Sequence, residues 1–214
     1  MVYNARVSTP LLQTDPEIAS LSARYGEPCR LHVALSVGTL FSAVNVRPER
    51  TAEVVFAIVR PSGRLLVHTK AFYPPGAFRL PSGSIQAGEP VEAALRREVA
   101  EETSLQVEVV RFLAVVSYDL KLPQDAVRQF TSYVFLLREV GGSLTAADEN
   151  ERVAGFREIL PSELPALAQK LESLASSPKR EIRSWGDWGR FRAVAHRVVW
   201  DALREPGKDA AGTT

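Results

Sequence analysis

The order of the predicted elements indicates an α+β protein in which helices pack on the faces of a mixed β-sheet. Strand-like runs lie on both sides of a single acidic helix, and two further helices come last, so the chain lacks the regular strand–helix alternation of a doubly wound α/β protein. The composition, 45% hydrophobic and 24% charged, is typical of a globular protein that buries a core. A length of 214 residues suits one domain with additions, or two small domains.

Residues 1–50 are predicted to form an N-terminal extension that contains a strand. A short helix is expected from Pro16 to Tyr25, because Asp15 can cap it and proline is favoured at the first helical position. Residues 31–46 then read LHVALSVGTLFSAVNV, an apolar run rich in β-branched residues that is more strand-like than helical. This strand segment is also a candidate element of a homodimer interface.

Residues 51–175 are predicted to form the main domain. The runs AEVVFAIV and RLLVHT flank a Pro-Ser-Gly turn at residues 61–63, which indicates a β-hairpin. After the acidic helix come two long strands, VEVVRFLAVVSYDL and FTSYVFLLREV, and a short one, VAGFREI. The pair Gly141-Gly142 between the second and third of these is a turn signal.

The end of the chain is predicted to be helical and then disordered. One helix starts near Pro161, and residues 176–204 contain a last helix, from about Trp185 to Leu203, whose apolar residues recur at helical spacing and should pack on the domain. Residues 205–214 are expected to be a disordered tail. A nucleic-acid surface is the weaker interpretation of this helical region, and it would use Arg183, Arg190, Arg192 and Arg197.

The charge and cysteine content restrict the setting and the partners of the protein. The formal net charge is +1, which argues against a general attraction to nucleic acid or to an anionic membrane. The single cysteine, Cys29, cannot form an internal disulfide, so a reducing compartment is expected. There is no secretory signal pattern and no run of about 20 apolar residues. These features predict a cytoplasmic protein without a membrane partner.

The acidic helix carries the clearest chemical signal. Val91, Leu95 and Val99 recur every fourth residue, which predicts a helix over residues 91–103. On a second face of this helix, three glutamates at positions i, i+3 and i+4 converge, namely Glu98, Glu101 and Glu102. Oxygen ligands of this kind suit a hard cation such as Mg²⁺. Taken alone, however, such a cluster is more often a solvated face.

The loop before the helix extends this signal into a longer pattern. Five residues separate Gly83 from Glu89, and seven more precede the run Arg97-Glu98-Val99-Ala100-Glu101-Glu102-Thr103-Ser104-Leu105. This stretch resembles the box of the Nudix hydrolase family, G-x5-E-x7-R-E-U-x-E-E-x-G-U, where U is a bulky aliphatic residue. Every specified position matches except the second glycine, which is Ser104 here. A left-handed backbone costs a residue other than glycine about 1–2 kcal/mol, so we expect a different turn at this position.

The resemblance implies a Nudix-like α/β/α sandwich whose loop–helix–loop binds Mg²⁺ or Mn²⁺. The residues it assigns to the metal are Gly83, through its carbonyl group, and Glu98, Glu101 and Glu102. The residues it assigns to catalysis are Glu98, Glu101 and Arg97, with one glutamate acting as base and the arginine orienting a glutamate. A further acidic ligand is expected from a later loop, where Glu149 and Glu151 are the candidates.

The activity that the resemblance implies is metal-dependent hydrolysis of the diphosphate linkage of a nucleoside diphosphate derivative, of the ADP-ribose or nucleotide-sugar type. Phe78 and Arg79 lie just before the box, where an aromatic ring can stack on a base and an arginine can meet a phosphate. Sheet packing for Phe78 and a solvated Arg79 are equally consistent with the sequence. The alternative function is a non-catalytic nucleotide sensor, although such proteins usually carry a damaged box. The three histidines lack metal-ligand spacing and are expected to be packed or exposed.

Overall fold

A computed structural model of the protein describes residues 15–38, 41, 50–146, 148–175 and 184–204. The helices in these segments are α1 (Pro16–Tyr25), α2 (Val91–Thr103), α3 (Leu164–Glu172) and α4 (Trp185–Arg204). The strands are β1 (Cys29–Ser36), β2 (Ala52–Val59), β3 (Leu65–Lys70), β4 (Ser82–Ser84), β5 (Leu105–Lys121), β6 (Val127–Gly142) and β7 (Val153–Ile159). Short 3-10 turns lie at Pro123–Asp125, Glu149–Glu151 and Pro161–Glu163.

All the strands found in the described segments belong to one mixed sheet. Its order is β1-β5-β6-β2-β3-β7, and β4 pairs with β2 off this path. The pairs β1/β5 and β2/β6 are parallel, whereas β2/β3, β2/β4, β3/β7 and β5/β6 are antiparallel. The predicted mixed sheet with helices on its faces is therefore confirmed, as is the hairpin of β2 and β3.

Side chains of the central strands alternate between two apolar cores. On one face of the sheet, Val54 and Phe56 of β2 pack with residues of α1 and α2. On the other face, Val55 and Ala57 pack with residues of α3 and α4. Because β2 is covered on both sides, its sequence from Val54 to Val59 is a continuous apolar run rather than a polar–apolar alternation. The sheet thus holds α2 against one face and the C-terminal helices against the other.

The N-terminal strand is shorter than predicted and belongs to the main sheet. β1 ends at Ser36 instead of continuing to residue 46, and Phe41 is helical. Residues 39–40 and 42–49 lie outside the described segments. β1 pairs in parallel with β5 from Cys29 to Ser36, so this part of the predicted extension is an edge strand of the sheet. Its role in a homodimer stays a prediction.

Two predictions for later elements also need correction or completion. Gly141 and Gly142 are not a turn but the last residues of β6, paired with Gln106 and Leu105 of β5. The glycine pair does not form a turn here because the pairing of β6 with β5 continues through both glycines. The last helix starts at Trp185 as predicted and packs on the sheet. The predicted tail, residues 205–214, lies outside the described segments.

Candidate active site

Helix α2 begins without a capping side chain of its own. Pro90 precedes it and offers no side-chain oxygen, but Glu17 of α1 accepts a hydrogen bond from the Val91 N–H at 2.5 Å. Tyr25, at the end of α1, donates its hydroxyl to Glu92 at 3.0 Å. The N–H groups in the first turn of a helix need acceptors from outside the helix. Helix α1 supplies one of them and thereby braces the start of α2.

The end of α2 keeps the turn that a glycine would make. Ser104 has the left-handed conformation, with φ of 56° and ψ of 14°, and its N–H donates to the Ala100 carbonyl at 3.0 Å. The expectation that the turn would differ was therefore wrong. Thr103 hydrogen-bonds on both sides of the turn, from its Oγ1 to the Val99 carbonyl and from the Leu105 N–H to its Oγ1. We infer that these bonds offset the cost of a left-handed serine.

Gly83 is required because Glu98 packs on its Cα. Strand β4 pairs with β2 and carries Gly83 opposite Val54, which places it under α2. A Cβ built at Gly83 would lie 1.7 Å from Cδ of Glu98 and 1.9 Å from its Oε2. Its φ is not in the left-handed region, so the requirement is for space rather than for conformation. The loop glycine and the helix glutamate of the box are thus in direct contact.

Arg97 connects the loop, the helix and two of its glutamates. It donates two hydrogen bonds of 2.8 Å to the carboxylate of Glu89 and one of 2.9 Å to the Ser84 carbonyl. Its Nη1 also donates to Glu98 at 2.8 Å and to Glu101 at 2.9 Å. These partners, Glu89 first, raise the pKa of Arg97, and the hydrogen bond to Arg97 lowers the pKa of Glu89. The predicted orienting role of Arg97 thus extends to three carboxylates.

Three carboxylates converge where the end of α2 meets the loop before β7. Glu98, Glu102 and Glu151 each place one oxygen within 4.8 Å of the others. The loop is attached to α2 by a 3.3 Å hydrogen bond from the Asp148 N–H to the Glu101 carbonyl. The candidate Glu151 therefore joins Glu98 and Glu102, whereas Glu101 turns to Arg97 and is not part of this group. For Glu149, the other candidate, the side chain lies outside what the structure describes.

Burial controls the ionisation of these carboxyl groups. It raises the pKa of Glu98 to about 7, although the hydrogen bond from Arg97 acts in the opposite direction. It also raises the pKa of Glu102, whose side chain is fully buried. For Glu151, burial acts in the same direction, but the hydrogen bond and charge of Lys70 prevail and lower its pKa. Burial therefore disfavours the ionised forms of Glu98 and Glu102 unless a nearby cation stabilises their negative charge.

The sequence interpretation missed two residues of strand β3 that face this group. Lys70 Nζ lies 2.9 Å from Glu102 Oε1 and forms a shorter contact with Glu151 Oε2. His68 is fully buried, with its Nδ1 3.9 Å from Glu102 Oε2, and burial lowers its pKa well below the usual value. The signal was the two-residue period of the strand: Leu66 faces α2, so His68 and Lys70 face it too.

The group fits a hard divalent cation on its donor set. All three members are carboxylates, the ligands that such cations prefer. Both oxygens of Glu102 are buried, and in the described residues neither accepts a hydrogen bond of acceptable geometry. Oε1 has the ion pair with Lys70, but Oε2 has no such contact closer than His68 Nδ1 at 3.9 Å. Buried polar atoms that lack hydrogen bonds are rare in folded proteins and require an explanation. A bound cation would satisfy them.

The comparison with known families agrees with this geometry. Residues 49–183, more than half of the chain, match the family described as the NUDIX domain. The chain belongs to the NUDIX family. The match includes Gly83, the whole of α2 and the loop that carries Glu151.

Curated relatives match the central part of this NUDIX chain. An ADP-ribose pyrophosphatase of Methanocaldococcus jannaschii is 36% identical over 106 residues, which are 49% of this chain and 61% of that protein. The human mitochondrial NAD(P)H pyrophosphatase NUDT13 is 33% identical over 92 residues, 43% of this chain and 26% of that protein. The chain thus spans less than two thirds of either relative.

Solved structures give a more distant similarity. An ADP-ribose pyrophosphatase of Streptococcus suis is 17% identical, with a TM-score of 0.44, over 74% of this chain and 95% of that one. A UDP-X diphosphatase is also 17% identical, with a TM-score of 0.47, over 77% of this chain and 68% of that one. Since both scores are below 0.5, the NUDIX assignment rests on the family match.

Arg79 is placed inside the protein rather than at a surface for substrate. It is 3% exposed and donates to the Tyr73 hydroxyl at 2.7 Å, the Leu80 carbonyl at 2.7 Å and Ser82 Oγ at 2.9 Å. Ser82 also accepts a 3.0 Å hydrogen bond from Arg192 of α4. In the described conformation, Arg79 supports the strand that carries Gly83, and a contact with substrate stays a prediction that this geometry does not favour.

Phe78 remains a candidate for substrate contact. Its side chain is partly buried, and the guanidinium carbon of Arg157 lies 4.6 Å from the centre of its ring. The ring also packs against the core that contains residues of α3 and α4, which agrees with the packing interpretation, and stacking on a base stays a prediction.

Three arginines of α4 that the sequence proposed for a nucleic-acid surface are paired with carboxylates within the protein. Arg190 pairs with Asp187, Arg197 pairs with Glu172, and Arg192 is buried against Glu53 at 2.7 Å. This agrees with the preferred interpretation of a packing helix. Arg183 lies outside the described segments. His196 is packed as expected: it accepts a hydrogen bond from the Leu80 N–H at 3.0 Å, and burial lowers its pKa to about 4.

In the described part of the chain, no helix combines the length and the apolar character needed to cross a bilayer.

Proposed function

We propose that the protein is a divalent-metal-dependent pyrophosphohydrolase that cleaves the diphosphate linkage of a nucleoside diphosphate derivative, with ADP-ribose as the preferred substrate. The observation that carries this proposal is the group of Glu98, Glu102 and Glu151 beside Gly83 and Arg97. It combines a cluster of hard ligands with a loop and an arginine that hold one of those ligands in place.

The proposed division of labour follows from burial and contacts. Glu98, Glu102 and Glu151 would bind Mg²⁺ or Mn²⁺. A cation held there would lower the pKa of bound water and neutralise charge on the diphosphate. Glu101 lies outside the group, its side chain is 33% exposed, and Arg97 fixes its carboxylate. We therefore assign to Glu101 the proton of the attacking water, since a base must be both accessible and oriented.

The choice of ADP-ribose rests on the names of relatives. The M. jannaschii protein is named an ADP-ribose pyrophosphatase, whereas NUDT13 is named an NAD(P)H pyrophosphatase. ADP-ribose and NAD(P)H, the molecules in these names, both contain a central diphosphate that joins two ribosyl groups. Reduced nicotinamide dinucleotide is accordingly the principal competitor of ADP-ribose in the test.

The test is a product assay with Mg²⁺ on ADP-ribose, NADH, a nucleotide sugar, a dinucleoside polyphosphate and nucleoside triphosphates. We expect the highest kcat/KM for ADP-ribose and a loss of about 100- to 10,000-fold in Glu101→Gln, the usual contribution of general acid–base catalysis. Glu102→Gln should also lose activity, because it removes a charged ligand of the metal. Glu108→Gln is the matched control, because Glu108 is exposed on β5. Equal activity in the wild type and both variants would refute the assignment. Tight binding of ADP-ribose without turnover would instead support a nucleotide sensor.

A further inference from the structure

Strand β3 brings a lysine to the carboxylate group by its geometry. Leu65 and Val67 face the core with α3 and α4, and Leu66 faces the core with α2. His68 and Lys70 continue the second series. The pairing of β3 with β7 is interrupted by an irregularity between Thr69 and Lys70. Irregularities of this kind re-aim side chains next to active sites, and here the lysine is directed at the end of α2.

The lysine contacts two of the three carboxylates that form the candidate metal site. Its ammonium lies 2.9 Å from Glu102 Oε1 and in short contact with Glu151 Oε2, while its side chain is 11% exposed. These oxygens belong to residues of the group whose ligand atoms approach within 4.8 Å of one another. The ammonium therefore contacts oxygens that a divalent cation would need as ligands.

The ammonium and a dication would compete for the same carboxylate oxygens. Lys70 already contacts Glu102 Oε1 and Glu151 Oε2, and a dication held by this group would lie within a few ångströms of the ammonium. Like charges a few ångströms apart repel strongly in a buried site. Binding of a dication would therefore drive the ammonium away from Glu102 and Glu151.

We propose that Lys70 is an internal counter-ion of the metal site, which competes with the divalent cation for Glu102 and Glu151 and, once displaced, contacts the metal-bound diphosphate. The second part rests on the proposed function. A lysine suits both positions, because its ammonium is a compact charge on a flexible four-carbon stem. Its backbone is held in the sheet by pairing with Val153, so the displaced ammonium stays within the length of its own stem from the site.

The first experiment measures Mn²⁺ binding to the metal-free full chain by electron paramagnetic resonance. Removal of a competing buried charge should tighten Mn²⁺ binding in Lys70→Met on the order of tenfold. Lys121→Met is the matched control, because Lys121 is exposed at the end of β5 and its replacement should leave the Mn²⁺ affinity unchanged. An unchanged or weaker Mn²⁺ affinity in Lys70→Met would overturn the proposal.

The second experiment follows the lysine in the wild-type protein, so it does not depend on the folding of the Met variant. The ¹⁵Nζ resonance of Lys70, identified by its absence in Lys70→Met or Lys70→Arg, is recorded during titration with Mg²⁺. Displacement from two carboxylates predicts a shift that saturates with the metal, whereas the Lys121 resonance stays constant. A Lys70 resonance that does not respond to Mg²⁺ would refute displacement, whatever the affinities.

The contact with diphosphate is tested by titrating ADP into protein saturated with Mn²⁺. Loss of one charged contact should weaken ADP binding by about tenfold or more in Lys70→Met, and not in Lys121→Met. Equal ADP affinities would overturn this second part. These measurements require no turnover: if ADP-ribose is not hydrolysed but the Mn²⁺ and ¹⁵Nζ results appear, the proposed function fails and the counter-ion role stands. Turnover without those results gives the opposite conclusion.

Discussion

Arg97 and Lys70 both contact glutamates of α2, but the two contacts are built differently. Arg97 uses its planar fork for five hydrogen bonds of 2.8–2.9 Å to Glu89, Glu98, Glu101 and the Ser84 carbonyl. Lys70 donates one hydrogen bond, to Glu151, and meets Glu102 as an ion pair at 2.9 Å, since neither oxygen of Glu102 accepts a hydrogen bond of acceptable geometry within the segments that are described. Aligned, multiple hydrogen bonds fix a geometry, whereas a point charge can be exchanged for another cation.

Glu98 shows how far Arg97 can offset the cost of burying a carboxylate. It accepts a hydrogen bond from Arg97 and still has a raised pKa, of about 7, because its desolvation outweighs the bond and the charge of the arginine. Arg97 therefore orients the Glu98 carboxyl group but does not offset the cost of burying its negative charge. In this comparison, Arg97 fixes the positions of its carboxylates, whereas Lys70 supplies a charge that another cation can replace.

Among the changes that test this comparison, the largest effect is expected from Gly83→Ala, which displaces Glu98 from the position in which Arg97 holds it. The new Cβ would lie 1.7 Å from Cδ of Glu98, so the carboxylate must move by more than an ångström. A displacement of this size typically costs about 100-fold in rate, which we expect in kcat/KM for ADP-ribose. Gly155→Ala is the control, since its nearest atom, Thr69 Cγ2, is 3.9 Å away. Retention of full activity by Gly83→Ala would contradict the contact with Glu98.

Arg97→Lys replaces the planar guanidinium of residue 97 with an ammonium like that of Lys70. The ammonium keeps the charge but cannot hold Glu89, Glu98 and Glu101 together. Loss of residues that orient metal ligands costs roughly 10- to 100-fold in metal affinity or activity, and we expect this in both the Mn²⁺ dissociation constant and kcat. Arg96→Lys, one position earlier and bonded to Glu92 outside the carboxylate group, should show neither change. If both variants behave alike, the network of Arg97 is not required.

A pH series on Glu98→Gln tests whether burial dominates over Arg97. Burial raises the pKa of Glu98 from 4.5 to about 7, so the folded protein binds this proton more tightly than the unfolded chain. Its stabilising contribution is full below about pH 4.5 and is lost as the pH rises to about 7. Without metal, the melting temperature of the wild type should therefore fall relative to that of Glu98→Gln across this window. Buried histidines affect both proteins equally, and parallel curves would contradict the raised pKa.

The smallest effect is expected at the start of α2, away from both Arg97 and Lys70. Glu17→Ala removes the acceptor of the Val91 N–H, and loss of a helix cap costs about 1 kcal/mol. For a chain of this size, that corresponds to a melting temperature lower by roughly 2–4 °C. Glu17→Gln keeps a side-chain oxygen and should lie close to the wild type. A loss of similar size in both variants would show that charge, rather than capping, is the cause.

The helix could be predicted from the sequence because its determinants are local. The apolar period of Val91, Leu95 and Val99 gave its bounds, and the i, i+3, i+4 spacing gave the shared face of its glutamates. The prediction for Ser104 was wrong because it considered only the intrinsic cost of a left-handed serine. It left out the two local hydrogen bonds of Thr103 and the backbone bond from Ser104 to Ala100, which stabilise that turn.

The partners of the glutamates could not be predicted in the same way. Glu101 shares a helical face with Glu98 and Glu102, but Arg97 draws it out of the carboxylate group, and Glu151 takes part instead. Residue 151 follows α2 by almost fifty positions, and Lys70 precedes it by about twenty. Their meeting depends on the pairing of β3 with β7 beside the end of α2, for which the sequence gives no local signal.

The sequence by itself determined the mixed α+β class, the bounds of α2 and the family to which the chain belongs, since these depend on periodicity and on spacing along the chain. The tertiary structure decided which carboxylates converge, why Gly83 must lack a side chain, and that a lysine lies among the candidate ligands. These features depend on strand order and register, which bring distant residues together. Burial then changes their charges in a way that spacing alone cannot show.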